Sequence, residues 1–210
     1  MRPDLHVEPY RPEDRSALYE ICLRTGDLGA DASADHDDPD VLGHVYVGPY
    51  LELEPDLAYV LRATGGAAPL GYVVATADTA AFAEACERAW WPPLRAHYRD
   101  HPPRRGSKDE ELVHIIRTGT RSREPWLATY PAHLHINLLG PARGSGAGRA
   151  LLTRLADELA ARGVPGVHLV AASANTDALA FYRRLGFTVL GERPGEVLMG
   201  RALTGARAAS

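Results

Sequence analysis

Leu138-Leu139-Gly140-Pro141-Ala142-Arg143-Gly144-Ser145-Gly146-Ala147-Gly148-Arg149 is the stretch on which the fold of this chain is decided. It follows an apolar, strand-like run, Ala132 to Leu139, and leads into a helical one, Arg149 to Arg162. In that helix Leu151, Leu152, Leu155 and Leu159 share one stripe, and Gly163 stops it. Glycines in such a turn allow positive φ and close approach of a ligand to the backbone. The unpaired N–H groups of the first helical turn, backed by the helix dipole, suit an anionic group such as a diphosphate.

Competing phosphate motifs can be tested residue by residue. A P-loop ends in Gly-Lys-Ser/Thr, whereas this turn ends in Gly148-Arg149-Ala150. A dinucleotide fingerprint belongs early in a βαβ unit, with an acidic residue about 20 positions on. Here the turn lies two-thirds along the chain, and the corresponding downstream position falls near His168. On glycines alone, a plain strand-to-helix connection remains equally open.

Downstream, Val167 to Ala171 reads as a strand and Thr176 to Leu185 as a helix, started near Asn175 and stopped by Gly186. Phe187 to Leu190 and Val197 to Arg201 follow as strands. Upstream, Leu5 to Tyr10 reads as a strand, and Pro12 opens a helix to about Arg24, capped by Gly26. Gly26 to Pro55 reads as irregular. Ala58 to Ala63 and Leu70 to Ala77 read as a hairpin around Gly65-Gly66. Ala80 to Tyr98 is helical but broken at Pro92-Pro93. Arg99 to Pro131 is a long polar stretch with one short helix near Glu110 to Arg117, the composition of a lid or a disordered loop.

Arg143-x-x-Gly146-x-Gly148 between a strand and an amphipathic helix resembles the pyrophosphate-binding motif of the GNAT (Gcn5-related N-acetyltransferase) superfamily. Asn175-x-x-Ala178-x-x-Phe181-Tyr182-x-x-x-Gly186-Phe187 resembles that family's downstream block. With the upstream helix and hairpin, the resemblance covers most of the chain. A narrower resemblance lies in Tyr130 to Leu139, Gly43 to Tyr50 and Trp91 to Leu94. These stretches look like bacterial acetyltransferases related to the C-terminal domain of eukaryotic O-GlcNAcase. That eukaryotic domain is regarded as a pseudo-acetyltransferase; this chain keeps Arg143, Gly146 and Gly148, and departs from the pattern at Gly140.

The resemblance implies an α/β (α+β) GNAT fold: a mixed, mostly antiparallel sheet of six to seven strands with helices on both faces. It is expected as one domain over residues 1–203, with an insertion at about 79–131 and a flexible tail at 204–210. It implies acetyl-CoA as co-substrate, no metal, and an amine acceptor, either a small molecule or a peptide. The diphosphate would rest on Gly144, Ser145, Gly146, Ala147, Gly148 and Arg149, near Arg143. The pantetheine arm would run along Leu138 and Leu139, where a backbone N–H can polarise the thioester carbonyl, and would meet Asn175. Tyr182 takes the general-acid position; a tyrosine of the helix's core face is the alternative.

A general base is harder to read. His133 and His135 alternate on one strand and face the same way. Serotonin N-acetyltransferases carry a His-x-His on the equivalent strand, but counting from Arg143 leaves this pair one residue out of register. Asp78 and Tyr130 are rivals. His44, Tyr46 and Tyr50, with Trp90, Trp91 and Trp126, are expected to line an acceptor pocket. The aspartates from Asp27 to Asp40 fit either a solvated loop or an attractor of cations.

The remainder bounds the class. The chain has 210 residues, 45% hydrophobic and 24% charged, enough for a real core. A net charge of -4 argues against nucleic acid, which needs a concentrated basic surface. Cys22 and Cys86 lack metal-ligand spacing. No apolar run approaches the about 20 residues that span a bilayer, and Met1 to Asp4 shows no signal peptide. The expectation is a cytoplasmic acetyltransferase, monomeric or homodimeric, with no nucleic-acid or membrane partner.

Overall fold

The computed structural model describes residues 4–66, 68–119 and 124–203. The tail expected at 204–210 lies outside them. Strands β1 (Leu5–Pro9), β2 (Ala58–Ala63), β3 (Gly71–Thr76), β4 (Ala132–Leu138), β5 (Gly166–Ala172), β6 (Thr188–Arg193) and β7 (Glu196–Ala202) form one sheet in the order β1-β2-β3-β4-β5-β7-β6. Every neighbouring pair is antiparallel except β4 and β5. The expected mixed, mostly antiparallel sheet is therefore what forms, with seven strands.

Helices cover both faces. On one lie α1 (Arg15–Leu23), α2 (Val41–Tyr46), α3 (Gly48–Leu53), α4 (Thr79–Ala85), α5 (Trp91–Asp100) and α6 (Lys108–Thr118). On the other lie α7 (Ala147–Ala161) and α8 (Thr176–Arg184). Strand alternation divides the core accordingly. Tyr72 and Val74 join the first layer, while Val73, Ala75, Leu134 and Leu169 join the second. The α7 stripe is buried as its spacing requires: Leu151, Leu152, Leu155 and Leu159 are at most 2% exposed.

Two stretches differ from the sequence expectation. Gly26 to Pro55 is not all loop, because it contains α2 and α3. Pro92 and Pro93 do not break a helix. A π-helical turn, Cys86–Trp90, joins α4 to α5, and the prolines fall in the first turn of α5, where a missing N–H costs nothing. The short helix expected near Glu110 to Arg117 is present as α6, whose Ser107 side chain accepts the Glu110 N–H, and whose Leu112, Val113 and Ile116 enter the first core.

Candidate active site

The site forms where the sheet opens. β4 and β5 pair only at Ala132↔Val167 and His133↔His168, then diverge. On its other edge β4 stays paired to β3 through Leu138, and the Leu139 N–H bonds Leu70 O at 2.9 Å. Backbone groups alternate sides along a strand. Leu139 is therefore committed to β3, and the N–H groups of Ile136 and Leu138 point into the opening. Of the expected pair, Leu138 has the available donor and Leu139 does not.

The glycine-rich turn closes one end of that opening. A short 3₁₀ turn, Gly140–Ala142, follows β4. Gly144 and Gly146 then adopt φ of 68° and 88°, with nothing within 4 Å of a built Cβ. Gly146 caps α7, and the Ser145 hydroxyl accepts the Ala147 N–H at 3.3 Å. At Gly148 a Cβ would stand 3.0 Å from Phe181 Cζ and 3.1 Å from Leu138 Cδ1. The result is an open cradle of backbone at the positive end of a 15-residue helix. It fits a diphosphate without any side chain donating to it.

Two expected cofactor contacts are engaged elsewhere. Arg143 Nε donates to Leu138 O at 2.9 Å and its Nη2 donates to Gly29 O. The Asn175 side chain caps α8 by accepting the Ala178 N–H at 3.1 Å, and its Nδ2 donates to Leu28 O at 3.3 Å. Both tether one turn at Leu28-Gly29, which stands between the cradle and α8. Leu28 has φ of 50° and is 53% exposed. Tyr182, on α8, is half-buried with its ring 5.7 Å from that of Phe187. Burial pushes its hydroxyl up to about 12, so it is a neutral O–H donor at physiological pH.

On the other face of β4, His133 and His135 meet Tyr50 of α3. Tyr50 Oη lies 2.6 Å from His133 Nε2 and 3.1 Å from His135 Nε2. His133 Nδ1 lies 2.7 Å from Thr79 Oγ1, which donates to Pro131 O at 2.6 Å. The rings of His133 and His168 are 5.6 Å apart across the last β4–β5 pair, and His168 Nδ1 donates to Tyr130 O at 2.8 Å. Burial first, then the neighbouring imidazoles, lowers His133 far below the usual range and His135 to about 4. Burial likewise raises Tyr50. At neutral pH this is a cluster of uncharged groups.

The remaining expected residues divide. Tyr46 packs its ring 5.4 Å from that of His135 and lines the same space. His44 faces α5 instead: its Nδ1 lies 3.0 Å from Tyr98 Oη, which donates to Asp38 at 2.6 Å. The reason is helical geometry, since the alternation read for residues 44, 46 and 50 does not hold on α2 and α3. Trp90 and Trp91 are 9% and 2% exposed members of the first core, not pocket walls. Asp78 is the N-cap of α4, its Oδ1 accepting the N–H groups of Ala80 and Ala81 at 2.9 and 3.0 Å. Trp126 lies under Arg193 of β6, 5.7 Å from the guanidinium to the ring centre. Tyr130 lies over the Cα positions of Gly166 and Gly200 on the histidine face of the sheet.

Sequence reading missed Thr79, Asn137, His168 and Phe181. Asn137 follows the two histidines on the same face and accepts from Tyr72 Oη at 3.0 Å. That period-2 signal was present in the strand. Thr79 carried no signal apart from its place at a strand-to-helix junction. Among the described residues no cluster of histidine, cysteine or acidic side chains is arranged to hold a metal, and no helix is long and apolar enough to cross a membrane.

The parallel pair thus splays after two residues, with the glycine-rich turn at the end of the opening. Residues 48–187 match the Acetyltransferase (GNAT) family, and the chain belongs to that family. It is 40% identical to the protein in the structure titled "Crystal structure of SsHAT", covering 96% of this chain and 100% of that one with a TM-score of 0.86. Rat (Rattus norvegicus) protein O-GlcNAcase is 25% identical over 205 residues, which are 94% of this chain and 22% of the relative. The chain thus spans about a fifth of that protein's length. The PaiA N-acetyltransferase of Thermoplasma acidophilum, solved with coenzyme A, shares the fold at 11% identity, with a TM-score of 0.54 over 95% and 99% of the two chains.

Proposed function

We propose that this chain transfers the acetyl group of acetyl-CoA directly to an amine held on the histidine face of β4, with a small-molecule amine or an amino sugar as acceptor. The observation that carries this reading is the restriction of β4–β5 pairing to Ala132 and His133, with the open cradle at Gly144 to Gly148 directly beyond β4. The relative solved with coenzyme A supports the choice of donor. Kinship with O-GlcNAcase carries no sugar specificity, because fold does not transfer function. The acceptor class is argued instead from α2, α3 and α4, whose Tyr46, Tyr50 and Phe82 rings stand over His133 and His135 and narrow that face.

When bound, acetyl-CoA supplies an activated thioester. The N–H groups of Gly146, Gly148 and Arg149 would hold the diphosphate, and Arg143 secures the turn beneath it. The Ile136 and Leu138 N–H groups, on the unpaired edge of β4, would stabilise the thioester oxygen as charge develops. Tyr182 would donate a hydrogen bond to the departing sulfur. An alkyl thiol titrates near 8.5 and Tyr182 near 12, so the phenol stabilises the thiolate rather than surrendering its proton outright. The β4 histidine pair, neutral at pH 7, receives the proton the amine must lose.

Calorimetry with acetyl-CoA, followed by an amine screen that detects released thiol, tests the reading. Micromolar binding and thiol release with a small amine are expected. Absence of binding at about 1 mM, a very weak affinity, sinks it. Binding with no release across small amines, amino sugars and lysine peptides marks a non-catalytic acyl-CoA module instead. Release with peptides alone marks a protein lysine acetyltransferase.

A further inference from the structure

The hydrogen bonds around Tyr50 have a direction. Thr79 has one hydroxyl proton, and it goes to Pro131 O at 2.6 Å, beside the Thr79 N–H that the same carbonyl accepts at 2.8 Å. With the hydroxyl proton placed there, the contact at 2.7 Å between Thr79 Oγ1 and His133 Nδ1 is donated by the imidazole. A neutral imidazole carries one N–H, so His133 Nε2 is an acceptor, and the Tyr50 proton goes to it at 2.6 Å. Tyr50 then has only lone pairs left for His135, so the 3.1 Å contact is donated by His135 Nε2. A neutral His135 with its proton on Nε2 has a bare lone pair on Nδ1.

That lone pair is accessible. Among the described residues, the fully covered side-chain nitrogens and oxygens without a partner are the indole nitrogens of Trp91 and Trp126. Among the described residues His135 Nδ1 has no hydrogen-bond partner and is not one of those covered atoms, and the Tyr46 ring stands 5.4 Å from its own. His133 differs: both its nitrogens are engaged.

We propose that Tyr50 and Thr79 are positioning residues that fix the tautomers of the histidine pair, so that His135 Nδ1 is the proton acceptor of the reaction and His133 is its immobile support. This rests on the acetyltransferase reading above and assigns the base within it. The proton balance closes. The acceptor attacks as the free amine, its ammonium proton having gone to solvent. Attack forms the C–N bond, the nitrogen so acylated gives its proton to His135 Nδ1, the C–S bond breaks to leave a thiolate hydrogen-bonded to Tyr182, and the proton on His135 passes through solvent to that thiolate. Protonated His135 keeps its Nε2–H on Tyr50, and the Tyr50 hydroxyl keeps its bond to His133, so no partner is lost as charge appears. The suppressed basicity of both imidazoles keeps them in the neutral state that this directionality requires.

The tautomers can be read without any ligand, by long-range ¹⁵N–¹H correlation on histidine-labelled protein at neutral pH. His133 is expected as Nδ1–H and His135 as Nε2–H. Tyr50→Phe, which retains the ring stacked on Phe82, should leave His135 as a mixture, and Thr79→Val should do the same for His133. In turnover, Tyr50→Phe should lower kcat about tenfold to a hundredfold with little change in KM for acetyl-CoA, a part of the roughly 10²–10⁴-fold that a positioned base supplies. In a His135→Ala background it should cost nothing further. A native His135 carrying its proton on Nδ1 overturns the proposal. So does a Tyr50→Phe penalty of equal size with and without His135, the mark of a packing effect. Failure of the wild-type chain to bind acetyl-CoA by calorimetry overturns the acetyltransferase reading and the base assignment together, and is thereby distinguished from a failure of positioning alone.

Discussion

Gly148 and Phe181 touch: a methyl group added at Gly148 would sit 3.0 Å from the Phe181 ring and 3.1 Å from Leu138. The cradle turn, the last residue of β4 and the helix carrying Tyr182 are thereby packed on one point. Gly148→Val should push Phe181 aside and narrow the cradle. We expect acetyl-CoA affinity to fall at least tenfold by calorimetry, with a stability loss of about 1–3 kcal/mol, the usual cost of overpacking. An unchanged Kd would remove this turn from the cofactor site.

Tyr182→Phe tests the sulfur end of the reaction. The wild-type phenol is half-buried and protonated, so the variant loses a hydrogen bond and little packing. A hydrogen bond to a charged atom is worth about 1.5–3 kcal/mol, which corresponds to about tenfold to a hundredfold in kcat. Acetyl-CoA binding should be nearly unchanged, because the bond strengthens only as negative charge appears on sulfur. Equal kcat in the variant excludes the role.

The donor half of the site was legible because it is made of backbone. Gly144, Gly146 and Gly148 announce their geometry through residue type, and Asn175 announces a helix start, so the turn and both flanking helices could be placed from sequence. The acceptor half is made of side chains brought together over long separations, such as Tyr50 with His135. Period alone had to place them, and it failed at His44, because two short helices, α2 and α3, stand in place of an extended run. Asp78 was ambiguous for a related reason. A carboxylate after a strand can serve chemistry or cap the next helix, and the hydrogen bonds to Ala80 and Ala81 show it capping α4.

The histidines make stability pH-dependent. Burial lowers His44, His133, His135 and His168 in the folded chain. On acidification below about 6.5 the unfolded chain takes up protons that the native state refuses, so stability falls. His135, lowered from 6.5 to about 4, accounts for about 3 kcal/mol of this loss when pH drops from 7 to 4. We expect Tm to fall steadily from pH 6.5 downward, and His135→Gln to flatten that slope. His135 is faced by Tyr46 of α2, Tyr50 of α3, His133 of β4 and His168 of β5, none of them negatively charged at neutral pH. The acid limb of kcat/KM should therefore lie nearer pH 4–5 than 6.5. A limb at 6.5 with a pH-independent Tm would contradict the burial of these imidazoles.

The aspartate-rich segment is anchored rather than held out as bait for a cation. The Asp109 carboxylate of α6, 2% exposed, accepts the Asp37 and Asp38 N–H groups at 3.0 Å each and lies 2.6 Å from His36 Nδ1. Asp38 takes the Tyr98 hydroxyl, and Asp35 and Asp37 pair with Lys108 and Arg104. Removing the Asp109 carboxylate strands an imidazole and two backbone donors in a buried place, a loss of about 3–5 kcal/mol. Asp109→Ala should therefore unfold at a much lower temperature, while below that temperature acetyl-CoA binding is unchanged, because no atom of this network reaches the cradle. The exposed pairs should behave differently: Asp35→Asn and Asp37→Asn should each change stability by less than about 1 kcal/mol and leave KM for a cationic acceptor where it was. A rise in that KM on neutralising either residue would return the segment to the role of an electrostatic attractor.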